Sequence, residues 1–206
     1  LASPRERKFF PEAAHATFRA NVAATLELAE LARQGGIHFI VASTGDVFAG
    51  GPMRPRESDM TFSPASFYAA SKAAAEMMLR PFADVTKVTV LRIFHPYGPG
   101  GDAFLVNRLL RRIASDEEIE IEGPDGILLN PIWIDDLAAG IAAAAHRGLA
   151  GTFHLTGPDA VSMRELVTMM AGLLGRRLQL KQVDRTPPGG HAGHGADSAR
   201  LLQLSP

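Results

Sequence analysis

The 206-residue chain contains no cysteine, which excludes disulfide bonds, thiolate nucleophiles and cysteine-ligated zinc. It also lacks a charge imbalance, because 21 basic residues stand against 22 acidic ones for a formal net charge of -1. That balance gives no sign of a nucleic-acid footprint or a polybasic membrane patch, so small-molecule partners are favoured. A cysteine-free sequence fits a reducing compartment, and we expect the cytoplasm.

Long apolar runs are missing as well, and no uninterrupted stretch is long enough to span a bilayer. The first residues, LASPRERKFF, carry neither an initiator methionine nor the apolar core of a signal peptide. We therefore expect the chain to be part of a longer polypeptide. Its hydrophobic content of 46% supports one sizeable domain, or one domain with a small appended lobe.

Helical and extended patterns alternate along the sequence. The predicted helices cover 11–33, 66–83, 103–114, 135–147 and 162–175. The predicted strands cover 37–43, 87–94, 118–122, 127–134 and 151–157. Two glycine- and proline-rich stretches, 45–64 and 187–196, are predicted to be loops, the second of them mobile. This order predicts an α/β fold with a doubly wound parallel sheet.

Two polar side chains interrupt the small and helix-favouring residues of SFYAASKAAAEMML, 66–79. Tyr68 and Lys72 lie four residues apart, which places them on one helix face, one turn apart. Such a pair is either a routine surface pair or the core of an acid/base site. Open parallel sheets bind ligands beyond the carboxyl ends of their strands, so the residues that follow the strands, 43–46 and 95–98, are the other candidates.

Five segments resemble those of the extended short-chain dehydrogenase/reductases, in particular the NAD-dependent epimerase/dehydratase family that acts on nucleotide sugars. They are LAS, NVAATLELAELA, FIVASTGDVFAGG, YAASK and LRIFHPYGPGG. The later NPIWIDDLAAGI and GTFHLTGPDAVSMRELVTMMAGLLG resemble the substrate-side lobe of that family. Order and spacing agree over nearly the whole chain.

The resemblance implies a catalytic triad of Thr44, Tyr68 and Lys72. Tyr68 would be the acid/base, and the ammonium of Lys72 would favour its phenolate, since a free tyrosine has a pKa of about 10. Thr44 would bind the reacting oxygen of a nucleotide sugar. The implied reaction is a transient hydride transfer to NAD or NADP, in which Tyr68 takes a proton from a sugar hydroxyl.

Further site residues follow from the same resemblance. The residues expected to contact the cofactor are Ala2, Asn21, Ala42, Tyr68, Lys72 and Phe94. His95 stands where the family more often has an asparagine, and it joins Thr44 as a candidate substrate-binding residue. Residues 1–101 would be the remaining part of the dinucleotide-binding domain, and 102–206 mostly a small substrate-side lobe with some segments returning to the main sheet.

Besides His95, the sequence departs from the family in three places. No G-x-G-x-x-G occurs, although the family rests the cofactor pyrophosphate on such a loop, and LAS resembles the end of the fourth strand, so the Rossmann-like sheet would be N-terminally incomplete. Leu129 replaces an arginine that many members direct at the diphosphate. The chain also ends short of the usual final helix. We therefore expect the isolated 206 residues neither to bind NAD(P) tightly nor to turn over.

Several alternatives stay open at this point. A non-catalytic or truncated relative would keep the fold as a binding or regulatory module, whereas a hydrolase is disfavoured because no G-x-S-x-G is present. Asp135 and Asp136 are interpreted as a helix cap rather than a metal site, and His191 and His194, in a glycine-rich setting, do not make a metal site either. Whether the protein is a homodimer is left open.

Overall fold

The computed structural model describes residues 13–49, 54–59 and 62–184. Its helices are α1 (Ala14–Phe18), α2 (Ala24–Gly35), α3 (Phe67–Leu79), α4 (Leu105–Ala114), α5 (Ile134–His146) and α6 (Met163–Leu174). Its strands are β1 (Phe39–Thr44), β2 (Val88–Ile93), β3 (Pro96–Tyr97), β4 (Ile119–Glu122), β5 (Leu128–Leu129), β6 (Ile132–Trp133), β7 (Gly151–Leu155), β8 (Val161–Ser162) and β9 (Leu180–Val183). A turn of π-helix, Arg19–Ala23, joins α1 to α2.

A three-stranded parallel sheet, in the order β1-β2-β7, forms the centre of the molecule. Thr44 pairs with Ile93, and Ile93 pairs with Leu155, so the three strands end together at one rim. The expected parallel α/β sheet is confirmed. Within the described residues β1 has β2 as its one strand neighbour and so lies at an edge of this sheet.

Helices cover both faces of this sheet because alternate residues of its strands point to opposite sides. On one face α2 and α3 pack on β1 and β2 through a cluster of Ala29, Val41, Leu79, Val88 and Val90. On the other face α5 packs on β2 and β7 through a cluster of Leu91, Ile132, Leu137, Ala144, Phe153 and Leu155. This is the doubly wound arrangement that the alternating pattern predicts.

A third apolar cluster lies between α4 and α6 and the parallel pair β4 and β9. Its fully buried members include Ile119, Leu129 and Val167. Strand β9 was not among the predicted strands, because its sequence LKQV is half polar and becomes a strand only by pairing with β4. The division at residue 101 stays a prediction.

The predicted strand over 127–134 is wrong as a single element. It consists of β5 and β6, which pair with different partners: β5 runs antiparallel to β8 and β6 runs parallel to β3. The break falls at Asn130 and Pro131, because the side chain of Asn130 donates hydrogen bonds to the carbonyls of Gly157 and Asp159 at 2.7 and 3.1 Å. Proline at the next position removes a ladder donor.

Helix boundaries follow local signals in most places. Ser66 caps α3 by accepting the N–H of Ala69, and the predicted helix over 66–83 stops at Leu79, just before Pro81. The interpretation of Asp135 and Asp136 as a cap is only partly right. Both lie in the first turn of α5, where carboxylates favour the helix dipole, but no side chain caps this helix.

No helix in the three described ranges is long and apolar enough to cross a membrane. Those ranges also contain no group of three or more histidine, aspartate or glutamate side chains that could hold a metal ion. Ala2, His191, His194 and the predicted loop over 187–196 lie outside the described residues.

Candidate active site

Thr44 is the last residue of β1 and is buried at the carboxyl rim of the sheet. Its Oγ1 accepts the N–H of Asp46 at 3.2 Å, which starts a 3-10 turn over Gly45–Phe48. Glycine is required next to it, since a Cβ on Gly45 would stand 2.4 Å from a ring carbon of Phe94. The chain therefore leaves β1 directly against the residue that follows β2.

Helix α3 brings Tyr68 and Lys72 to the side of β1. Tyr68 lies half-buried in the first turn, and Lys72, one turn later, is only 5% exposed. The ammonium Nζ of Lys72 donates to the carbonyl oxygen of Ala42 at 2.9 Å, two residues before Thr44. Burial lowers the pKa of Lys72 from its ordinary value, although the nearby carboxylate of Glu76 opposes the change.

Asn21 reaches the same helix from the π-helical turn. Its Nδ2 donates to Oγ of Ser71 at 2.9 Å, and Ser71 Oγ donates to the carbonyl of Tyr68 at 2.7 Å. Within the part of the chain that the structure describes, the buried Oδ1 of Asn21 has no hydrogen-bond partner. π-Helical turns are rare and occur frequently at functional sites. Asn21 thus contacts the helix of Tyr68 and Lys72 through Ser71.

The chain turns sharply after β2. Phe94 is 1% exposed, and His95 has a φ of 39°, a left-handed conformation that is uncommon for a residue other than glycine. The Nδ1 of His95 accepts the N–H of Asn130 at 3.1 Å, and its carbonyl accepts the N–H of Ile132 at 3.2 Å. Because Nδ1 is an acceptor here, the proton of a neutral His95 ring is on Nε2.

The structure brings together most of the predicted site residues. Lys72 contacts Ala42 directly, Phe94 lies against Gly45 beside Thr44, and Asn21 connects to Tyr68 through Ser71. Ala2 lies outside the described residues. The catalytic, cofactor and substrate roles assigned from the resemblance stay predictions.

Four residues with a place in this region were not singled out from the sequence: Ser71, Glu76, Arg92 and Asn130. Glu76 follows Lys72 by one more helical turn, and it is 5% exposed with its carboxylate bonded to Arg92 and Ser43. Arg92 is a single charge inside the apolar run VTVLRIF, and this was a readable signal of a paired buried group. Ser71 and Asn130 gave no comparable signal, because their partners are distant in sequence.

The combined geometry suits proton transfer to or from a bound hydroxyl. A half-buried phenol, a buried ammonium with a lowered pKa and a threonine hydroxyl lie on neighbouring elements at the strand ends. The carboxyl rim of the sheet is also where doubly wound sheets bind their ligands.

Comparison with known proteins identifies the family. The model of the NAD-dependent epimerase/dehydratase family matches residues 8–154. The chain therefore belongs to the NAD-dependent epimerase/dehydratase family.

One curated relative and two solved structures illustrate the similarity. UDP-glucose 4-epimerase of Mycolicibacterium smegmatis is 30% identical over 164 residues, which are 75% of this chain and 52% of that protein. The structure of MoeE5 in complex with UDP-glucose and NAD is 28% identical, with a TM-score of 0.78 over 98% of this chain and 70% of the other. The structure of UDP-glucuronic acid 4-epimerase from Bacillus cereus is 23% identical and has a TM-score of 0.83. The similarity extends over 100% of this chain and 68% of that one, and it shows that the fold is shared. The chain spans about half the length of the first curated relatives that it matches.

Proposed function

We propose that the full-length protein is an NAD-dependent epimerase or dehydratase of a nucleotide sugar. Tyr68 is its acid/base, Lys72 binds the ribose of the cofactor, and Thr44 binds the reacting oxygen of the substrate. The observation that carries the proposal is the buried ammonium of Lys72, bonded to the carbonyl of Ala42 one helical turn from Tyr68. A surface pair would leave this lysine in solvent, where it costs nothing to keep it charged.

The residues of this chain suit the nicotinamide end of NAD. An ammonium has three N–H donors, and in the described ranges Lys72 uses one of them for Ala42, so two can hold the hydroxyls of a ribose. The buried Oδ1 of Asn21 adds a hydrogen-bond acceptor nearby. When bound, NAD supplies the hydride acceptor for the sugar carbon. Phe94 and Ala42 would line the same side.

Tyr68 then moves the proton. The positive charge of Lys72 favours the ionised form of Tyr68, and this phenolate takes the proton of the sugar hydroxyl and becomes a neutral phenol. Thr44 holds the substrate oxygen by a hydrogen bond, and His95, as an Nε2–H donor, contacts the substrate beyond it. The proposal also requires a glycine-rich loop for the pyrophosphate, which these 206 residues do not contain.

The substrate we propose is a UDP-sugar, held between the sheet and the part of the chain after residue 101. Support comes from the similarity to UDP-glucose 4-epimerase of M. smegmatis and to MoeE5, whose structure contains UDP-glucose and NAD. The third apolar cluster, with α4, α6 and the β4 and β9 pair, would form the substrate-side lobe. Leu129 in place of an arginine leaves the diphosphate contacts to other residues.

The test uses the full-length protein with NAD and three probes: UDP-glucose, UDP-glucuronic acid and dTDP-glucose. Tyr68→Phe should lower turnover by about 10²- to 10⁴-fold, because it deletes the proton-transfer group, and should leave NAD affinity measured by calorimetry nearly unchanged. Lys72→Met should weaken both turnover and NAD binding. Lys87→Met, at an exposed lysine directly before β2 and so at the end of the strand away from the site, is the matched control for Lys72→Met and should behave like the wild type.

The outcomes separate the two candidate functions. Equal and small effects of Tyr68→Phe and Lys72→Met, no larger than that of Lys87→Met, would contradict the catalytic assignment. A wild-type protein that binds NAD and turns over none of the probes would favour the non-catalytic relative, which the missing phosphate loop makes the second candidate. Titration of the isolated 206-residue chain with NAD should show no tight binding; micromolar affinity there would mean that the pyrophosphate site is built without a glycine-rich loop.

We further propose a cytoplasmic homodimer. Its support is the apolar surface on the outer faces of α2 and α3, where Leu31 and Met77 are 60% and 56% exposed. Sedimentation of the full-length protein tests the assembly, and Leu31→Glu with Met77→Glu should convert a dimer into monomers if this face is the interface. Cell fractionation tests the compartment.

A further inference from the structure

Arg92 lies in the middle strand of the sheet and is 0% exposed. Arginine is almost never fully buried unless it is paired, and removing its charge from water costs several kcal/mol. An apolar side chain would occupy this strand position at no such cost. The guanidinium of Arg92 must therefore be satisfied by contacts that an apolar residue could not make.

The first partner is Glu76 on α3. Nη2 of Arg92 donates to Oε2 of Glu76 at 2.9 Å, and Nε donates to the same oxygen at 3.1 Å. Ser43, the residue before Thr44, donates its hydroxyl to the other carboxylate oxygen, Oε1. This pair fastens α3 to β2 and β1 one turn after Lys72.

The second partner is the connection between Thr44 and Tyr68. Nη1 of Arg92 donates to the backbone carbonyls of Glu57 and Asp59 at 3.3 and 3.4 Å. The guanidinium also stands 4.8 Å from the ring centre of Phe48 and 5.3 Å from that of Phe62, within the range of cation–π attraction. These four residues belong to the connection that begins after Thr44 and ends before Tyr68.

The same connection is tied to the third strand of the sheet. Oε1 of Glu57 accepts the backbone N–H of His154 in β7 at 2.9 Å. Arg92 therefore stands where β2, α3 and the described part of this connection, residues 45–49, 54–59 and 62–66, meet. The guanidinium serves both groups of partners at once, because its five N–H donors point in fixed directions from one plane.

A lysine could not replace this arrangement. Its ammonium is a point charge on a flexible stem, and it would pair with Glu76 without reaching the carbonyls of Glu57 and Asp59 in the same geometry. The charge of Arg92 and its planar fork thus contribute separately. The first satisfies the carboxylate of Glu76, and the second holds the connection between Thr44 and Tyr68.

We propose that Arg92 is a positioning residue for the reaction, which holds α3 and the described part of the connection between Thr44 and Tyr68 in place so that Tyr68 meets a substrate bound at Thr44. This inference rests on the proposed function and adds a residue that touches neither substrate nor cofactor. Small displacements of reacting groups are costly, since a misplacement of about 1 Å lowers rates by about 10²-fold. Loss of the fork should therefore appear in kcat.

The test compares Arg92→Lys with Thr89→Val in the full-length protein, with NAD and whichever of the three probes the wild type turns over. Thr89 lies in the same strand, is 0% exposed and donates to the carbonyl of Leu149, so its replacement weakens β2 without touching α3 or the connection. Turnover is expressed per NAD-binding site counted by calorimetry, at a temperature where both variants are folded. This normalisation removes any loss that comes from unfolded protein.

Arg92→Lys should lower kcat per NAD-binding site by between about 10-fold and 10²-fold with KM changed less than about threefold, and Thr89→Val should leave both near the wild type. If Arg92→Lys does not fold, Phe62→Leu decides, because it removes one ring beside the guanidinium and should lower kcat by about threefold. Wild-type kcat in Arg92→Lys, or an equal loss in Thr89→Val, would overturn the proposal. Tyr68→Phe in the same assay distinguishes failure of the proposed function from failure of the positioning role. Wild-type activity of Tyr68→Phe would refute the proposed function. An inactive Tyr68→Phe together with wild-type activity of Arg92→Lys would refute only the positioning role.

Discussion

Acidification should destabilise the protein through His154. The ring is 0% exposed, its Nε2 lies 3.4 Å from Nη1 of Arg92, and the rings of Phe48 and Phe94 pack around it. Burial and the positive charge of Arg92 lower the pKa of His154 from the ordinary 6.5 to about 3, although the carboxylate of Asp59 opposes the change. The folded protein therefore keeps His154 neutral at mildly acidic pH.

The sign and size of the effect follow from proton linkage. Below pH 6.5 the unfolded chain binds a proton at His154, and the folded protein does not bind it until about pH 3. The unfolded state therefore binds more protons across this window, and stability falls as the pH falls through it. At about pH 5 the loss is about 2 kcal/mol, because each pH unit below the unfolded pKa contributes about 1.4 kcal/mol.

The assay is urea unfolding of the full-length protein at about pH 7.5 and about pH 5. His154→Gln removes the titration and keeps a carbonyl oxygen that can accept from Arg92. The variant should lose about 2 kcal/mol less than the wild type between the two pH values. His146→Gln, at an exposed histidine near the end of α5, is the control and should keep the wild-type dependence. The same pH dependence in the wild type and His154→Gln would refute the argument.

Three further substitutions test the packing and the caps. Gly45→Ala should destabilise the protein by about 1–3 kcal/mol, because its Cβ would stand 2.4 Å from the ring of Phe94; an unchanged melting temperature would contradict the close approach. Ser162→Ala should cost about 1 kcal/mol in urea unfolding, since Ser162 and Glu165 form a capping box at the start of α6, and an unaltered midpoint would show that the box contributes nothing. Lys72→Met should leave the melting temperature unchanged or raise it, because it removes a buried ammonium, and a clear drop would mean that the bond of Lys72 to the sheet stabilises the fold.

The parts of the fold that local sequence determines could be predicted. The apolar runs at 37–43 and 87–94 became β1 and β2, since β-branched residues without polar alternation suit a strand covered on both faces. The four-residue spacing of Tyr68 and Lys72 placed them on one helix face, because α3 is a regular α-helix with a serine cap. Both features need only residues that are close in sequence.

The parts that depend on distant partners could not be predicted. The carboxylate of Glu76 meets Arg92 across 16 positions, and Asn21 meets Ser71 across 50. Strand β9 acquires its form from β4, and the break at Asn130 comes from carbonyls 27 and 29 positions away. Periodicity reports which face of an element is apolar, but it carries no information on which polar groups will satisfy one another inside.

The π-helical turn at Arg19–Ala23 makes the contacts of the continuous helical segment 14–35 depend on the number of residues in that turn. One residue advances an α-helix by about 100°, so a deletion within the turn would restore regular i→i+4 bonding and rotate everything before it relative to α2 by that angle. Thr25, Ala29 and Ala32 of α2 are buried after the turn, and Thr17 and Asn21 are buried before or within it. After such a deletion only one of these two groups could keep its present contacts. Shortening the helix by one residue would thus rotate the face that carries Asn21 away from the buried face of α2. A substitution at most positions in the turn would leave the two faces aligned.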